Sequence, residues 1–163
     1  MKMSTLVVGT NSYVTREEAD TYIKTFYLSS DAVRVSWESL SPEDQEVLLA
    51  RSLLFIEILP YVGVKSNPEQ VLSFPRSGQE EVPEDVKRAQ IIEAVSDFDA
   101  DTVKYRSIRQ NGIRSFTIGG LTEMFFKSAK PGDALSNLSP TTKAILDKYM
   151  SGGYEISCSS LNT

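Results

Sequence analysis

Apolar positions crowd most densely between Ser41 and Pro60, in the run SPEDQEVLLARSLLFIEILP. Ser41 suits a helix N-cap, and Pro42 suits the first helical position, where its missing N–H would have had no partner. Glu43 and Asp44 favour the positive end of the helix dipole. Pro60 ends the run. Val47, Leu48, Leu49, Ala50, Leu53, Leu54, Phe55, Ile56, Ile58 and Leu59 spread over more than one face, too much for a helix with one wet side. Such a helix must be surrounded, by its own chain or by neighbouring subunits.

On either side the pattern is sparser. Residues 3 to 8 read as a short strand or an ordered arm ended by Gly9, Asn11 and Ser12. A helix follows from Thr15, which has capping-box spacing to Glu18, with Val14 placed to staple onto Ala19. Ala19, Tyr22, Ile23 and Phe26 recur at helical spacing as its packing face. From Leu28 to Leu40 the signal weakens to a connection with a short helical turn, in which Trp37 is a core anchor. After Pro60 comes a loop-rich stretch with Gly63, Pro68, Pro75, Gly78 and Pro83, long enough to suggest that it contacts something.

Pro83 opens a third helix with Glu84 and Asp85 in its first turn. Ile91, Ala94, Val95 and Phe98 form its stripe, and it is expected to fray around Asp101 to Tyr105. The period then changes in GIRSFTIGGLTEMFFKS, where partial alternation around Gly119-Gly120 predicts a β-hairpin. Ser139-Pro140 begins a last short helix with Ile145, Leu146, Tyr149 and Met150 on its sticky side, and the tail YEISCSSLNT has no period. Alone in solution that tail is expected to be disordered. The fold class is mainly α: a small helical bundle with a β-hairpin, a C-terminal helix and an extended docking arm. Residues 1–109 form the bundle with its N-terminal arm, and residues 110–163 the hairpin, short helix and docking tail.

Composition narrows the function. The 163 residues carry a net charge of -5, which argues against a surface gripping nucleic acid throughout. There is no histidine, so Ser-His-Asp, Cys-His and histidine-zinc chemistry are out. The single cysteine, Cys158, has no intrachain partner, which fits a reducing cytoplasm. No apolar run is long enough to span a bilayer, and MKMSTLVVGTNS is too short in its apolar part for a secretory signal, so a soluble protein that stays where it is made is expected.

Candidate chemistry is thin. Glu80, Glu81, Glu84 and Asp85 lack calcium-loop spacing and read as a solvated helix start. Gly119-Gly120 lacks the context of a phosphate loop, and no serine sits in a Gly-x-Ser-x-Gly elbow. Lys104, Arg106, Arg109 and Arg114, interleaved with Tyr105 and Phe116, form the one strip on which nucleic acid can be argued, since cations track a backbone while aromatics stack on bases. Equally, they are an exposed helix end that favours cations.

Two motifs go further. NSYVTREEADTYI, from Asn11 to Ile23, and LSFPRSG, from Leu72 to Gly78, resemble signature elements of the head-to-tail adaptor (connector, or head-completion) proteins of tailed bacteriophages. VPEDVKRAQIIEA and the predicted hairpin match the same layout, so the resemblance covers residues 10 to 150. Phe74 stands where many relatives have tryptophan. Some members carry the label of DnaT-like single-stranded DNA-binding proteins. The resemblance implies a non-enzymatic structural subunit without cofactor, assembled in the bacterial cytoplasm into a virion neck. It would form a ring of about twelve identical copies beneath the portal protein, meeting a stopper or tail-completion protein, with genomic double-stranded DNA sliding through without sequence-specific binding. On that layout Ile145, Leu146, Tyr149, Met150, Tyr154 and Ile156 would dock on the portal. Leu72, Phe74, Pro75, Arg76, Phe116 and Ile118 would meet other subunits or the stopper. The alternative is a single-stranded DNA-binding module that uses Lys104, Arg106, Arg109 and Arg114.

Overall fold

A computed structural model describes residues 5–110, 115–118, 121–124 and 137–150. These residues are mainly helical: α1 (Arg16–Phe26), α2 (Ala32–Ser39), α3 (Pro42–Glu57), α4 (Glu84–Val95), a 3-10 turn (Ser96–Phe98), α5 (Ala100–Gln110) and α6 (Pro140–Leu146) with a second 3-10 turn (Asp147–Tyr149). Strands β1 (Ser115–Ile118) and β2 (Leu121–Met124) pair antiparallel, with Phe116 opposite Glu123 and Ile118 opposite Leu121. Gly119-Gly120 lies outside the described residues. No described helix is long and apolar enough to cross a membrane.

Local chemistry starts the helices where their caps stand. Thr15 Oγ1 accepts from Glu18 N at 3.1 Å while Thr15 N donates to Glu18 Oε2 at 2.7 Å, a complete capping box. Ser41 and Ser139 cap α3 and α6 by accepting from Asp44 N and Thr142 N, each followed by proline. Helix α3 stops at Glu57, short of Pro60.

Three expectations are corrected. The span from Leu28 to Leu40 is more than a turn: Val33 and Trp37, four residues apart, are buried on one face of α2. The third helix does not fray at residues 101 to 105. It breaks at Ser96–Phe98, and Asp99 starts α5 by accepting from Asp101 N at 3.1 Å and Thr102 Oγ1 at 2.7 Å. On α1, Ala19 and Ile23 are buried but Phe26 is 62% exposed, its ring 4.6 Å from that of Tyr22.

The centre of the bundle is α4 rather than the greasier α3. Helix α4 packs on α3 along one side and on α6 along the other, and α1 lies across α3 and α4. Seven of its residues are buried, among them the polar Gln90 and Glu93. Gln90 accepts from Tyr13 N at 2.8 Å and donates to Ser12 Oγ at 2.9 Å and to Leu49 O at 2.8 Å. Glu93 accepts from Ser139 N at 3.0 Å and from an Arg106 Nη at 3.2 Å. One core cluster joins Tyr13, Trp37, Leu49 and Ile56 to Val86, Leu138, Leu146 and Met150.

Because Gln90 satisfies three buried groups on two other segments, its loss strands their donors and acceptors without water. Gln90→Leu is expected to destabilise by on the order of 3 kcal/mol. Thr15→Ala, which removes a solvent-accessible cap, should cost on the order of 1 kcal/mol. Urea unfolding followed by far-UV circular dichroism measures both, and equal losses would contradict the central role of α4.

Candidate functional site

The Leu72–Gly78 element is a tied loop whose aromatic side chain points inward. Phe74 is 2% exposed, follows Tyr13, Tyr61 and Tyr149 edge-on at centroid distances of 6.2, 4.7 and 5.1 Å, and precedes Pro75 through a cis peptide bond. The Tyr13 hydroxyl donates to the Glu57 carboxylate and accepts from Phe74 N at 3.1 Å, and the second Glu57 oxygen accepts from Ser73 N at 2.9 Å. The end of α3 is thereby fixed to both the N-terminal turn and the loop. Burial, then the bond to Glu57, pushes the Tyr13 hydroxyl above the ordinary tyrosine value, and burial beside the Glu57 charge does the same to Tyr61.

Arg76 closes the loop on itself. Its guanidinium donates to the carbonyls of Val62 at 2.8 Å, Ser73 at 3.2 Å, Tyr61 at 3.4 Å and Gly63, and the Arg76 backbone bridges to Lys65. Gly63 turns the chain at φ +78°, a left-handed conformation that a Cβ would strain. The expectation that Leu72, Phe74 and Arg76 face another subunit is therefore corrected: Leu72 and Phe74 fill this chain's own core, and Arg76 has its donors occupied by backbone. Pro75 is half-buried. What the loop presents outward is Val62, Val64 and Val71. Phe116 and Ile118 fall in β1, two positions apart.

The residues expected to dock on a portal divide likewise. Leu146 and Met150 are buried, and Ile145 and Tyr149 pack half-buried against the same core. Val62 N donates to Tyr149 O at 2.9 Å, and Met150 bridges to Tyr61. The Tyr149 hydroxyl donates to Asp85 at 2.7 Å beside the Lys148–Asp85 ion pair. Burial opposes ionisation of Asp85, but the bonds from Lys148 and Tyr149 outweigh it and hold the carboxyl below its ordinary range. The Tyr149 hydroxyl is pushed up by burial and by that same bond. So α6 and its 3-10 turn are structural members of the bundle, which corrects their reading as a free docking face. Tyr154 and Ile156 lie outside the described residues.

The basic strip also divides. Arg106 is bound to Glu93, to Asp97 and, at 2.7 Å, to Ser96 Oγ, which withdraws it from a nucleic-acid interface. It lines a crevice of about 180 Å³ with Leu48, Arg51, Phe55 and Gln110, where cations and carboxylates balance. Lys104 is exposed on α5. The Arg109 side chain and Arg114 lie outside the described residues.

One surface was visible in the sequence only as an excess of grease. Val47 and Leu54 on α3 and Ile58 at its C-cap are 57%, 66% and 59% exposed, opposite the face that buries Leu49, Leu53 and Ile56. Phe26, Leu28 and Val35 are exposed too, and no periodicity distinguished them from core.

These observations define a class: a mainly helical module with one polar-pinned core, a self-tied loop and an uncovered apolar helix face. The family model described as "Putative DnaT-like ssDNA binding protein" matches residues 2–160, and the chain belongs to that family. No curated protein and no solved structure matches it.

The three tyrosines give a test of the loop's packing. Their raised values mean that the folded chain keeps protons that the unfolded chain loses above about pH 10. Their contribution to stability is whole below that value and falls as pH rises past it. Urea midpoints between pH 8 and 11 should drop with pH, and Tyr61→Phe should flatten the drop. An unchanged slope in that variant would exclude Tyr61 as a source.

Proposed function

We propose that this chain is a non-catalytic structural adaptor of a tailed-bacteriophage neck. Copies assemble in the host cytoplasm into a ring, of about twelve by the family layout, that joins the portal to a stopper or tail-completion protein and extends the DNA channel in the virion. The observation that carries this reading is the open apolar face of α3: a self-sufficient monomer gains nothing from holding Val47, Leu54 and Ile58 in water. Ring closure gives each subunit two neighbours and adds weak contacts through high effective concentration. The acidic balance of the chain suits a duplex that slides, since strong cationic grips on a channel wall would hold it. The resemblance in Asn11 to Ile23 and Leu72 to Gly78 supports the same reading.

Portal docking falls to the residues after Met150, including Tyr154 and Ile156, with help from the half-buried Ile145 and Tyr149. A truncation that tests it has to spare α6, because Leu138, Leu146 and Met150 belong to the core. Deleting residues 151–163 should abolish sedimentation with purified portal rings while the helical far-UV signal stays intact. Portal binding that survives the deletion would remove the tail from the docking surface.

The family description favours a second reading, single-stranded DNA binding, with Lys104, Arg109 and Arg114 as its cations. It predicts oligonucleotide retardation at low salt that weakens steeply as salt rises, and that Arg109→Glu with Arg114→Glu abolishes. No retardation at micromolar protein would end it.

A further inference from the structure

Along α3, Val47, Arg51, Leu54 and Ile58 fall at i, i+4, i+7 and i+11, one stripe that stays exposed with every described element of its own chain in place. Ile58, the C-cap, keeps a right-handed helical backbone and so continues the line. Arg51 stands on the border between this stripe and the crevice of Arg106, and among the described residues it makes no ion pair. The stripe is therefore apolar with a single guanidinium.

A groove lined by no residue of α3 runs between α1 and α4, with a volume of about 420 Å³. The buried Val14 and Ile91 form its floor, Tyr22 and Phe26 line it from α1, and Lys87 and Arg88 line it from α4. Glu17, Glu18 and Glu84, from the first turns of the two helices, line it as well. Lys87 Nζ lies 2.9 Å from Glu84 Oε1. That bond raises the Lys87 ammonium above its ordinary value against the cost of burial, and the charges of Glu84 and Glu18 add to it. Burial raises the Tyr22 hydroxyl, and the charge of Arg88 opposes the rise. Glu18 thus neighbours Lys87 and Glu84, while Tyr22 neighbours Arg88, so α1 and α4 run in the same sense along the groove. Carboxylates stand at one end and aromatic rings toward the other. Arg16, paired with Glu17, and Lys87 offset only part of the negative charge, which disfavours a phosphate chain and suits a cation.

We propose that the outer stripe of α3 of one copy lies in the α1–α4 groove of the next, with Arg51 among the carboxylates and with Leu54 and Ile58 against Tyr22, Phe26 and Ile91. The inference rests on the adaptor reading and names its subunit interface. The spans agree: Arg51 to Ile58 and Glu84 to Ile91 each cover seven positions, about 10 Å along a helix axis. A helix seated in an apolar groove through anchors three and four residues apart is a recurring mode of recognition. In this alignment the stems of Lys87 and Arg88 flank Leu54 while their charged ends stay in water. The reversed alignment pushes Ile58 among the carboxylates and Arg51 toward Arg88, so charge sets the polarity. Stripe and groove are different patches of one chain, the arrangement that closes into a ring when the rotation per copy allows it.

The full-length chain carrying Cys158→Ser tests this in two ways. Copies with Leu54→Cys alone are mixed with copies with Phe26→Cys alone and treated with a short bifunctional maleimide. Covalent dimers are expected in the mixture and not in either variant by itself. Separately, Arg51→Glu and Glu84→Arg should each raise the concentration needed for half-maximal assembly, read by sedimentation velocity, by about tenfold or more, and the double variant should recover most of it. Circular dichroism checks folding, and Ile58→Cys and Glu17→Arg replace Leu54→Cys and Glu84→Arg if either fails to fold. Rings that form without mixed dimers and without charge rescue overturn this interface and leave the adaptor reading standing. Dimers formed by Leu54→Cys alone place α3 against α3 and overturn it too. A chain that stays monomeric at every concentration, with and without portal rings, overturns both.

Discussion

The buried pair Gln90 and Glu93, one turn apart on α4, is the constraint from which the rest of the bundle follows. Gln90 faces the N-terminal turn and α3, and Glu93 faces α5 and the start of α6, so two side chains fix four segments against one helix. Apolar packing alone is non-directional and would tolerate α4 rotated or shifted by a residue. A buried amide and a buried carboxylate do not, because any slip leaves several groups unpaired in a dry interior, each costing about 1–3 kcal/mol. The consequence is a core with a unique alignment, built around a helix of modest hydrophobicity, while the most apolar helix is left at the edge with half its circumference in solvent.

The second constraint is the end of α3. Glu57 accepts from Tyr13 and from Ser73, and Tyr13 in turn holds Phe74, so the N-terminal turn, the helix terminus and the loop converge on one carboxylate. Tyr61, Phe74 and Tyr149 then seal this corner with rings, and the Met150 bridge to Tyr61 brings in the last described segment. Within this corner the Leu72–Gly78 element works as an internal clasp. It holds Val62, Val64 and Val71 outward on a backbone that Arg76 ties together.

Features encoded over three or four residues were legible in the sequence. The caps at Thr15, Ser41 and Ser139 depend on a side chain and a backbone N–H within one turn, and Trp37 is buried as its size suggests. What depended on distant partners was not legible. Helix α2 offers only Val33 and Trp37 as periodic apolar positions, and the break at Ser96–Phe98 has neither proline nor glycine to mark it. Gln90 and Glu93 look like surface residues of an amphipathic helix until their partners, 13 to 78 positions away, are in place. Arg76 and Arg106 look available for a ligand for the same reason, since nothing local reveals that carbonyls and carboxylates of the same chain already occupy them. The excess of apolar residues on α3 was visible. Its meaning was not, because an excess is equally compatible with burial inside one chain and with a face kept for another.

That ambiguity resolves into an argument about solubility and assembly. On the proposed adaptor reading, a monomer in transit to a ring would have to tolerate exposure of its interface, and a helix face interrupted by Arg51 does so better than an unbroken one, since a guanidinium keeps the patch hydrated while its stem adds apolar contact once covered. The chain's net charge of -5 adds mild mutual repulsion, which discourages random association yet is small against a specific contact repeated around a closed ring. Pinning the core with Gln90 and Glu93 gives the outer face of α3 a fixed orientation in every copy. A ring closes only if each subunit presents the same angle to the next, so on the proposed reading the rigidity of the dry interior is what would make an identical, repeatable interface on the wet exterior possible.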